Sequence, residues 1–400
     1  MDEMLPEEIP AIRDSIRRFM ETEVIPVMDD YEARGELPRD LIRKAGEAGY
    51  YGATFPEEVG GSDMGYLAAA VLIEEIARMD VRYGGFNQNG GNCPACIYLG
   101  GTEEQIKKFV PDLLAGKTVG MMALTESGGG SDAAGAMKTT ARREGDVYKL
   151  NGSKMWATLG DECDVGIVLA KTDPDAGARG VSAFIVEPKK YPGYTAQPID
   201  VGLSNSFRVS AVYLDDFTVP AENMLGKEGE GFKIIMRALQ GGRAVIGAKA
   251  LGIAIGAYED AVQYANERII KGQPIGKYQM IQSQIAEMAV AIEASRALVY
   301  QAARAMDMEL PTNRIASIAK FHASTTAKFC TDQAQQIFGG YGLSSEYRIA
   351  KYRRYADLMF TGEGTANVQK VLIAEDALGY KVADRHHGKT GLRQMGRAAG

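Results

Sequence analysis

Histidine is nearly absent: the 400 residues hold three, His322, His386 and His387. His322 falls inside a helical pattern and reads as a packed or capped residue, and the other two lie in the C-terminal tail. Histidine triads and His-rich metal sites are therefore poorly supported, and acid–base work falls to a carboxylate. Cysteine is equally scarce, with four residues. Cys93-Pro94-Ala95-Cys96 has redox or half-zinc spacing, but no second pair completes a tetrahedral zinc site and no strand precedes it. The two read as structural thiols. No run of Lys and Arg is present and the net charge is −7, which argues against nucleic acid as a partner. The longest apolar run, Leu67 to Ile73, is far too short for membrane insertion. The acidic opening Met1-Asp2-Glu3-Met4 lacks the basic-then-apolar pattern of a secretory or transit segment. A soluble, cytoplasmic protein is the expectation.

What the chain has in quantity is glycine and apolar side chains: 47 Gly and 46% hydrophobic residues, enough for a large core divided among two or three domains. The most informative stretch is Leu124-Thr125-Glu126-Ser127-Gly128-Gly129-Gly130-Ser131-Asp132. Three glycines between hydroxyls let a backbone approach a bulky anion and turn N–H groups toward phosphate oxygens. Shortly after comes Asn151-Gly152-Ser153-Lys154-Met155-Trp156-Ala157-Thr158, which sets an indole beside a hydroxyl, suited to a flat heterocycle. Together they read as a site for a planar cofactor with a pyrophosphate. A Gly-rich loop on its own is more often an ordinary turn.

The pattern is helical from Pro6 to about Leu114, with breaks at Pro26, Pro38, Pro56 and Gly60-Gly61. Ile9, Ile12, Ile16 and Phe19 share one face, as do Ala69, Leu72, Ile73 and Ile76. Between Thr118 and Pro220 come short β-rich runs: Val147 to Leu150, Val165 to Ala170, Val181 to Val186 and Val209 to Leu214. These predict a compact antiparallel sheet domain resembling a small barrel. Long helices return from Gly231, with stripes at Leu251 to Ala265, Ile285 to Met306 and Ile315 to Phe338. Gly247, Gly252 and Gly256 permit close helix contact. With a helix over Val368 to Asp376 these predict a four-helix bundle. The expected fold is mainly α with a central β domain: a helical domain over 1–117, a β domain over 118–228, a helical bundle over 229–385 and a tail over 386–400.

The order of motifs resembles the acyl-CoA dehydrogenase family of flavoproteins over nearly all residues to about 385. Besides the two stretches above, the resemblance rests on Val219-Pro220 with Asn223 and Leu225-Gly226, on Gly242-Arg243 opening a helix, and on Glu267-Arg268 with Pro274-Ile275-Gly276. It continues through Gln336-Ile337-Phe338-Gly339-Gly340-Tyr341-Gly342 and ends at Glu363-Gly364-Thr365. The resemblance implies FAD lying between the sheet domain and the C-terminal bundle. It implies a carboxylate that removes the proton α to a thioester, and a β-hydrogen that leaves as hydride to the flavin. Glu363 matches that base, its pKa raised by burial; its own N–H and a flavin hydroxyl hold the thioester oxygen. Some branches carry the base just before the Arg on the first long C-terminal helix, where this chain has Gly242.

By the same resemblance Leu124, Thr125, Gly130, Ser131, Trp156 and Thr158 cradle the flavin within one subunit. Arg268, Gln279, Gln336, Gly339 and Gly340 reach the adenosine half held by a neighbouring subunit, and Thr365 and Asn367 follow the base onto FAD. Ser131, Arg243, Arg82, Gly362 and Gly364 are the residues expected on substrate. A shared site implies an oligomer, commonly a tetramer, and electrons pass to an electron-transfer flavoprotein. An oxidase using oxygen and a silent acyl-CoA-binding scaffold remain as alternatives.

Departures from the family pattern point to the substrate. Lys271-Gly272 stands for the frequent Phe-Gly, and Gly362 for a frequent Tyr before the base. Gly84-Gly85 and Gly90-Gly91 thin the segment over the acyl tail, so a bulky, branched, ring-bearing or dicarboxylic acyl group is expected. Tyr83 aligns where relatives acting on glutaryl-CoA carry an arginine, with Arg82 beside it. Two readings of Arg82 stay open, a solvated surface charge or a carboxylate-recognising residue.

Overall fold

The computed structural model describes residues 5–84 and 88–380. The expected tail over 386–400 and Gly85 lie outside the described residues. Among the described residues six α-helices come first: α1 (Glu8–Phe19), α2 (Ile25–Arg34), α3 (Arg39–Glu47), α4 (Tyr66–Met79), α5 (Cys93–Gly100) and α6 (Glu103–Leu114). Eight strands follow: β1 (Gly120–Ala123), β2 (Thr140–Glu144), β3 (Val147–Thr158), β4 (Val165–Lys171), β5 (Val181–Val186), β6 (Tyr194–Ile199), β7 (Val209–Pro220) and β8 (Met224–Leu225). Helices α7 (Gly231–Glu267), α8 (Gln279–Asp307), α9 (Asn313–Phe338), α10 (Ile349–Thr361) and α11 (Ala366–Ala377) complete it. The expected architecture is present: a helical N-terminal domain, a central β-sheet domain and a C-terminal helical domain. Among the described residues no helix is long and apolar enough to cross a membrane.

Two expected boundaries move. Pro26 does not break the helical run; it follows a π-helical turn at Met20–Val24 that joins α1 to α2, with Ile25 N–H reaching back to Met20 O, and this wider turn accommodates the missing N–H. Gly242-Arg243 lies inside α7 rather than opening it, because Ile234, Ile235 and Ala238 upstream are buried and carry the helix back to Gly231.

The described residues form two compact units, one from 5–27, 66–83 and 243–380, the other from 28–65, 84 and 88–242. The second unit is built on one sheet with strand order β6-β7-β3-β2-β4-β5-β8. Its pairings are mostly antiparallel, but β1 adds to β4 in parallel, Gly120 opposite Val165. Strand β5 is buried at every position and β4 at all but its last, which is why both read as continuous apolar runs. Strand β6 carries Pro198 and alternates toward solvent, as an edge strand does. Tyr148, Leu150, Phe184, Val212 and Phe217 centre the core.

In the helical unit α9 packs against α8, α10 and α11, and α4 against α1 and α8. Helix α4 is buried almost throughout, including Glu74 and Glu75 at 0% exposure. Arg13 on α1 donates to Glu75 at 2.7 Å and Glu74 at 3.3 Å, and Tyr300 on α8 donates to Glu74 at 2.8 Å. Arg17 and Arg78 close on Glu75 at 2.9 and 2.7 Å. Burial alone would raise the Glu75 carboxyl, but the Arg17 and Arg78 contacts outweigh it and hold it below the ordinary range. Glu74 goes the other way: its burial dominates the arginines' pull and raises it.

Helix α7 meets α4 without side chains between them. A Cβ on Gly252 would stand 2.2 Å from Glu74 O and 2.9 Å from Ala77 Cβ. Gly252→Ala is expected to destabilise the fold by about 1–3 kcal/mol despite alanine's better helix propensity, because a backbone carbonyl cannot yield as a side chain does. Chemical denaturation measures it; an unchanged midpoint would show that α7 and α4 can part at no cost.

Candidate functional site

In the sheet unit the Gly-rich segment is tied to β3 by a buried ion pair. Lys154, fully buried, donates to Glu126 Oε1 at 2.8 Å and to Leu124 O at 3.3 Å. Glu126 also accepts from the N–H groups of Lys138 at 2.7 Å and Thr139 at 3.0 Å. Burial pushes Lys154 down to about 8, against the pull of Glu126. The Glu126 carboxyl would rise by burial alone, yet Lys154 and the two N–H groups hold it below the ordinary range. Both remain ionised near neutrality. Sequence reading passed over this pair, since a lone lysine in a strand reads as surface.

One residue beyond Lys154 the Met155 N–H donates to Thr125 O at 2.9 Å. There the β3–β7 pairing slips register between Lys154 and Ala157. Trp156, inside the slip, takes φ of 64° and leaves its ring 54% exposed. An aromatic residue in that backbone region costs free energy and persists only where its surroundings impose it. Thr158 follows, half-buried. Across the loop Gly129 N–H closes a turn on Glu126 O at 3.2 Å, while Gly130 and Ser131 stand exposed. Among the described residues their N–H groups donate to no backbone acceptor. An exposed indole beside exposed backbone donors fits a planar cofactor with a pyrophosphate. Leu124, Thr125, Gly130, Ser131, Trp156 and Thr158 are thus brought together.

The helical unit positions the remaining residues in two clusters. Glu363 lies in the turn between α10 and α11, with φ of 56°, and Gly364 after it has φ of 81°. Lys320 on α9 donates to Gly364 O at 2.7 Å, and Gln369 Nε2 to the same oxygen at 3.2 Å. Thr365 caps α11, its hydroxyl accepting from Val368 N–H at 3.1 Å, and Asn367 is exposed on that helix. Lys249 and Lys320 are each pushed down to about 8 by burial, with Glu363 opposing. Arg243 is lowered by burial and donates to Ser317 at 3.4 Å. Lys249 and Lys320 are further residues that sequence reading missed.

The second cluster lines a groove shared by Arg268, Lys271, Gln336, Gly339, Gly340 and Tyr341. Arg268 lies over the Tyr341 ring at 5.5 Å, and Gln284 donates to Gln336 at 3.2 Å. Gln279, exposed, begins α8 between the groove residues Tyr278 and Met280. Added Cβ atoms on Gly339 and Gly340 would meet nothing within 4 Å.

Arg82 is no solvated charge: its guanidinium donates to Asp80 through Nε at 2.9 Å and Nη2 at 2.6 Å. The glycines expected to thin the N-terminal segment divide by function. A Cβ on Gly84 would crowd the Phe207 ring at 3.1 Å and one on Gly90 the Tyr51 backbone at 2.9 Å, so both serve packing; only at Gly91 is the space open. A side chain at Gly362 would press on Leu358 O at 3.1 Å. Cys93 and Cys96 are buried free thiols, Cys93 pushed up to about 12 by burial. His322 packs on Ser295 at 2.9 Å.

Lys154→Met strands the Glu126 carboxylate in the interior, which costs roughly 3–5 kcal/mol. The variant is expected to melt lower and to release FAD on gel filtration. Wild-type melting with full flavin absorbance would show that the ion pair does not hold the loop.

Comparison with known proteins shows the family. Profiles of the acyl-CoA dehydrogenase N-terminal, middle and C-terminal domains match residues 6–117, 121–217 and 229–378. A glutaryl-CoA dehydrogenase from Desulfococcus multivorans is 37% identical over 393 residues, spanning 96% of this chain and 100% of that protein. The caffeyl-CoA reductase–Etf complex subunit CarC of Acetobacterium woodii is 36% identical over 379 residues, spanning 92% and 97%. The structure of a glutaryl-coenzyme A dehydrogenase with glutaryl-CoA superposes with a TM-score of 0.91 at 38% identity, covering 97% of this chain and 99% of that one. With three consecutive domain profiles and near full-length relatives in agreement, the chain belongs to the acyl-CoA dehydrogenase family, FAD-dependent oxidoreductases acting on CoA thioesters.

Proposed function

We propose that this acyl-CoA dehydrogenase acts on a bulky, branched, ring-bearing or dicarboxylic acyl-CoA, with Glu363 as its base and an electron-transfer flavoprotein as its electron acceptor. The observation that carries the reading is the backbone at Glu363. A glutamate with φ of 56° costs free energy, and the turn is pinned from α9 by Lys320 on Gly364 O. Backbone strain retained at a carboxylate marks a functional position, and the two buried lysines beside it keep Glu363 in the ionised form that can accept a proton.

Glu363 takes the α-proton as the Cα–Cβ double bond forms, and its own N–H holds the thioester oxygen while charge gathers there. Lys249 and Lys320 act on Glu363 through space and keep it ionised before the proton arrives. FAD, when bound, accepts the β-hydrogen with its electron pair. Leu124, Thr125, Gly130, Ser131, Trp156 and Thr158 would hold the flavin and pyrophosphate, and Thr365 and Asn367 the segment after the base. Gly242 offers no second carboxylate on α7, which leaves the role to Glu363. Gly362 and Gly364 border the base, and Ser131 and Arg243 are the further substrate contacts in this reading.

Arg268, Gln279, Gln336, Gly339 and Gly340 would meet the adenosine half of a flavin from a second subunit in a homotetramer. The open groove and its exposed Ile270, Met280 and Tyr341 support an oligomer, because apolar side chains of that size in one patch mark contact surfaces. The kinship with an Etf-complex subunit supports the electron acceptor.

Glu363→Gln is expected to lower the rate of flavin bleaching by acyl-CoA roughly 10²–10⁴-fold while acyl-CoA binding and flavin content persist. Near-normal bleaching would remove Glu363 from the role. Arg268→Ala deletes a charge-assisted contact worth about 1.5–3 kcal/mol. It should weaken FAD retention tenfold or more and shift sedimentation toward smaller species, with the base chemistry intact once FAD is supplied in excess. Unchanged flavin content and unchanged sedimentation would place the adenosine contact elsewhere.

A further inference from the structure

Among the described residues, buried charged side chains come with hydrogen-bond or ion-pair partners, and Lys249 does not. Lys249, midway along α7, is 7% exposed and lies 5.8 Å from the centre of the Tyr355 ring on α10. Among the described residues its ammonium makes no hydrogen bond and no ion pair within contact distance, and Glu363 is the carboxylate whose charge reaches it. The neighbouring cations are already engaged, Lys320 on Gly364 O at 2.7 Å and Arg243 on Ser317 at 3.4 Å. Near neutrality all three keep their protons, although burial pushes both lysines down to about 8. Two lysines thus face one carboxylate, and an ammonium withdrawn from water without a hydrogen bond is costly unless an anion completes the site.

The phosphates of coenzyme A cannot be that anion. They lie at the far end of the pantetheine arm from the carbon that loses its proton. Nor is the enolate oxygen the missing partner, since it forms only in the reaction and has its own donors in the mechanism above. An anion fixed to the acyl group itself is what remains. Arg82 does not serve it, being held by Asp80.

We propose that Lys249 recognises a carboxylate carried by the acyl group close to its α- and β-carbons, so that the substrate is a dicarboxylic monothioester of the succinyl or glutaryl type. This rests on Glu363 being the base, which fixes where the α-carbon lies. The ammonium pairs with the distal carboxylate on binding, and the selectivity is electrostatic: a neutral acyl group of the same shape leaves the cation unpaired.

The test is titration of the FAD-loaded enzyme with succinyl-CoA and glutaryl-CoA and with their methyl monoesters, read as the perturbation of the flavin spectrum. Wild type is expected to bind a free acid at least tenfold more tightly than its ester. Lys249→Met should level the pair, and Lys249→Arg should restore part of the preference. Equal affinity of wild type for acid and ester overturns the proposal, as does a tenfold preference that survives in Lys249→Met. Titrating Glu363→Gln in parallel separates the two assignments. Binding does not need the base, so full turnover in that variant defeats the base while leaving the acid-to-ester ratio to judge Lys249.

Discussion

The ion pair between Lys154 and Glu126 is the contact on which the flavin-side geometry depends. It joins a loop to a strand 28 residues apart, and it does so where both elements depart from regular structure. Without it the Gly-rich segment has three glycines' worth of freedom, and the slip in β3 has no anchor on its other side. The same lysine also takes the Leu124 carbonyl, so the start of the loop, its first acid and the bulged strand share one cation. Removing water from such a pair costs several kcal/mol per ion, and the Lys138 and Thr139 N–H groups make the burial tolerable by filling the carboxylate's remaining lone pairs.

The same rule runs through the rest of the sheet unit and the helical unit taken separately. Glu32 on α2 is enclosed by the Asn205 and Ser206 N–H groups at 3.0 and 3.1 Å and by the Ser204 and Ser206 hydroxyls, which fix the turn between β6 and β7. Glu75 gathers three arginines, and Asp307 at the end of α8 accepts the N–H groups of Tyr66 and Leu67 that open α4. Each is a carboxylate closing a junction between segments distant in sequence. Against that regularity an ammonium with only a through-space carboxylate stands out, and chemistry rather than architecture is the economical account of it.

How much of this was legible in the sequence follows from what local pattern can carry. Strands β4 and β5 were readable because both faces are buried and the apolar run is unbroken. The second half of β3 was not: Asn151 to Thr158 is polar and aromatic, and its strand character comes from pairing with β7. Helix α10 escaped notice because Lys351, Arg353 and Arg354 dilute the apolar face on which Tyr352, Ala356 and Met359 are buried. Gly252 and Gly256 were correctly read as close-contact positions, since glycine inside a helix has few other reasons to persist. The cofactor loop and the Glu363 turn were visible because their residues are contiguous. Lys154, Lys249 and Lys320 were not, because a lysine is exposed by default and only distant partners reveal otherwise. The turn that brings Asp80 back onto Arg82 is likewise a feature that the local sequence pattern does not display.

Trp156 and Glu363 share a construction. Each holds a positive φ that its side chain disfavours, at a cost of about 1–3 kcal/mol. Each sits beside the reach of a buried lysine: Lys154, two before Trp156, is anchored on Glu126 and Leu124, and Lys320 holds the carbonyl of Gly364, one after Glu363. A hydrogen bond from a charged donor contributes about 1.5–3 kcal/mol, enough to offset the strain where it arises. The lysines therefore keep two strained turns from relaxing, and they can do so only while buried, since in water the same bonds would be worth far less. Burial lowers their own pKa to about 8, and in each case a carboxylate opposes that shift. The aromatic and acidic residues on which the reading of function rests are thus held in place by buried cations, Lys154 from within the stretch that carries Trp156 and Lys320 from a helix outside any motif.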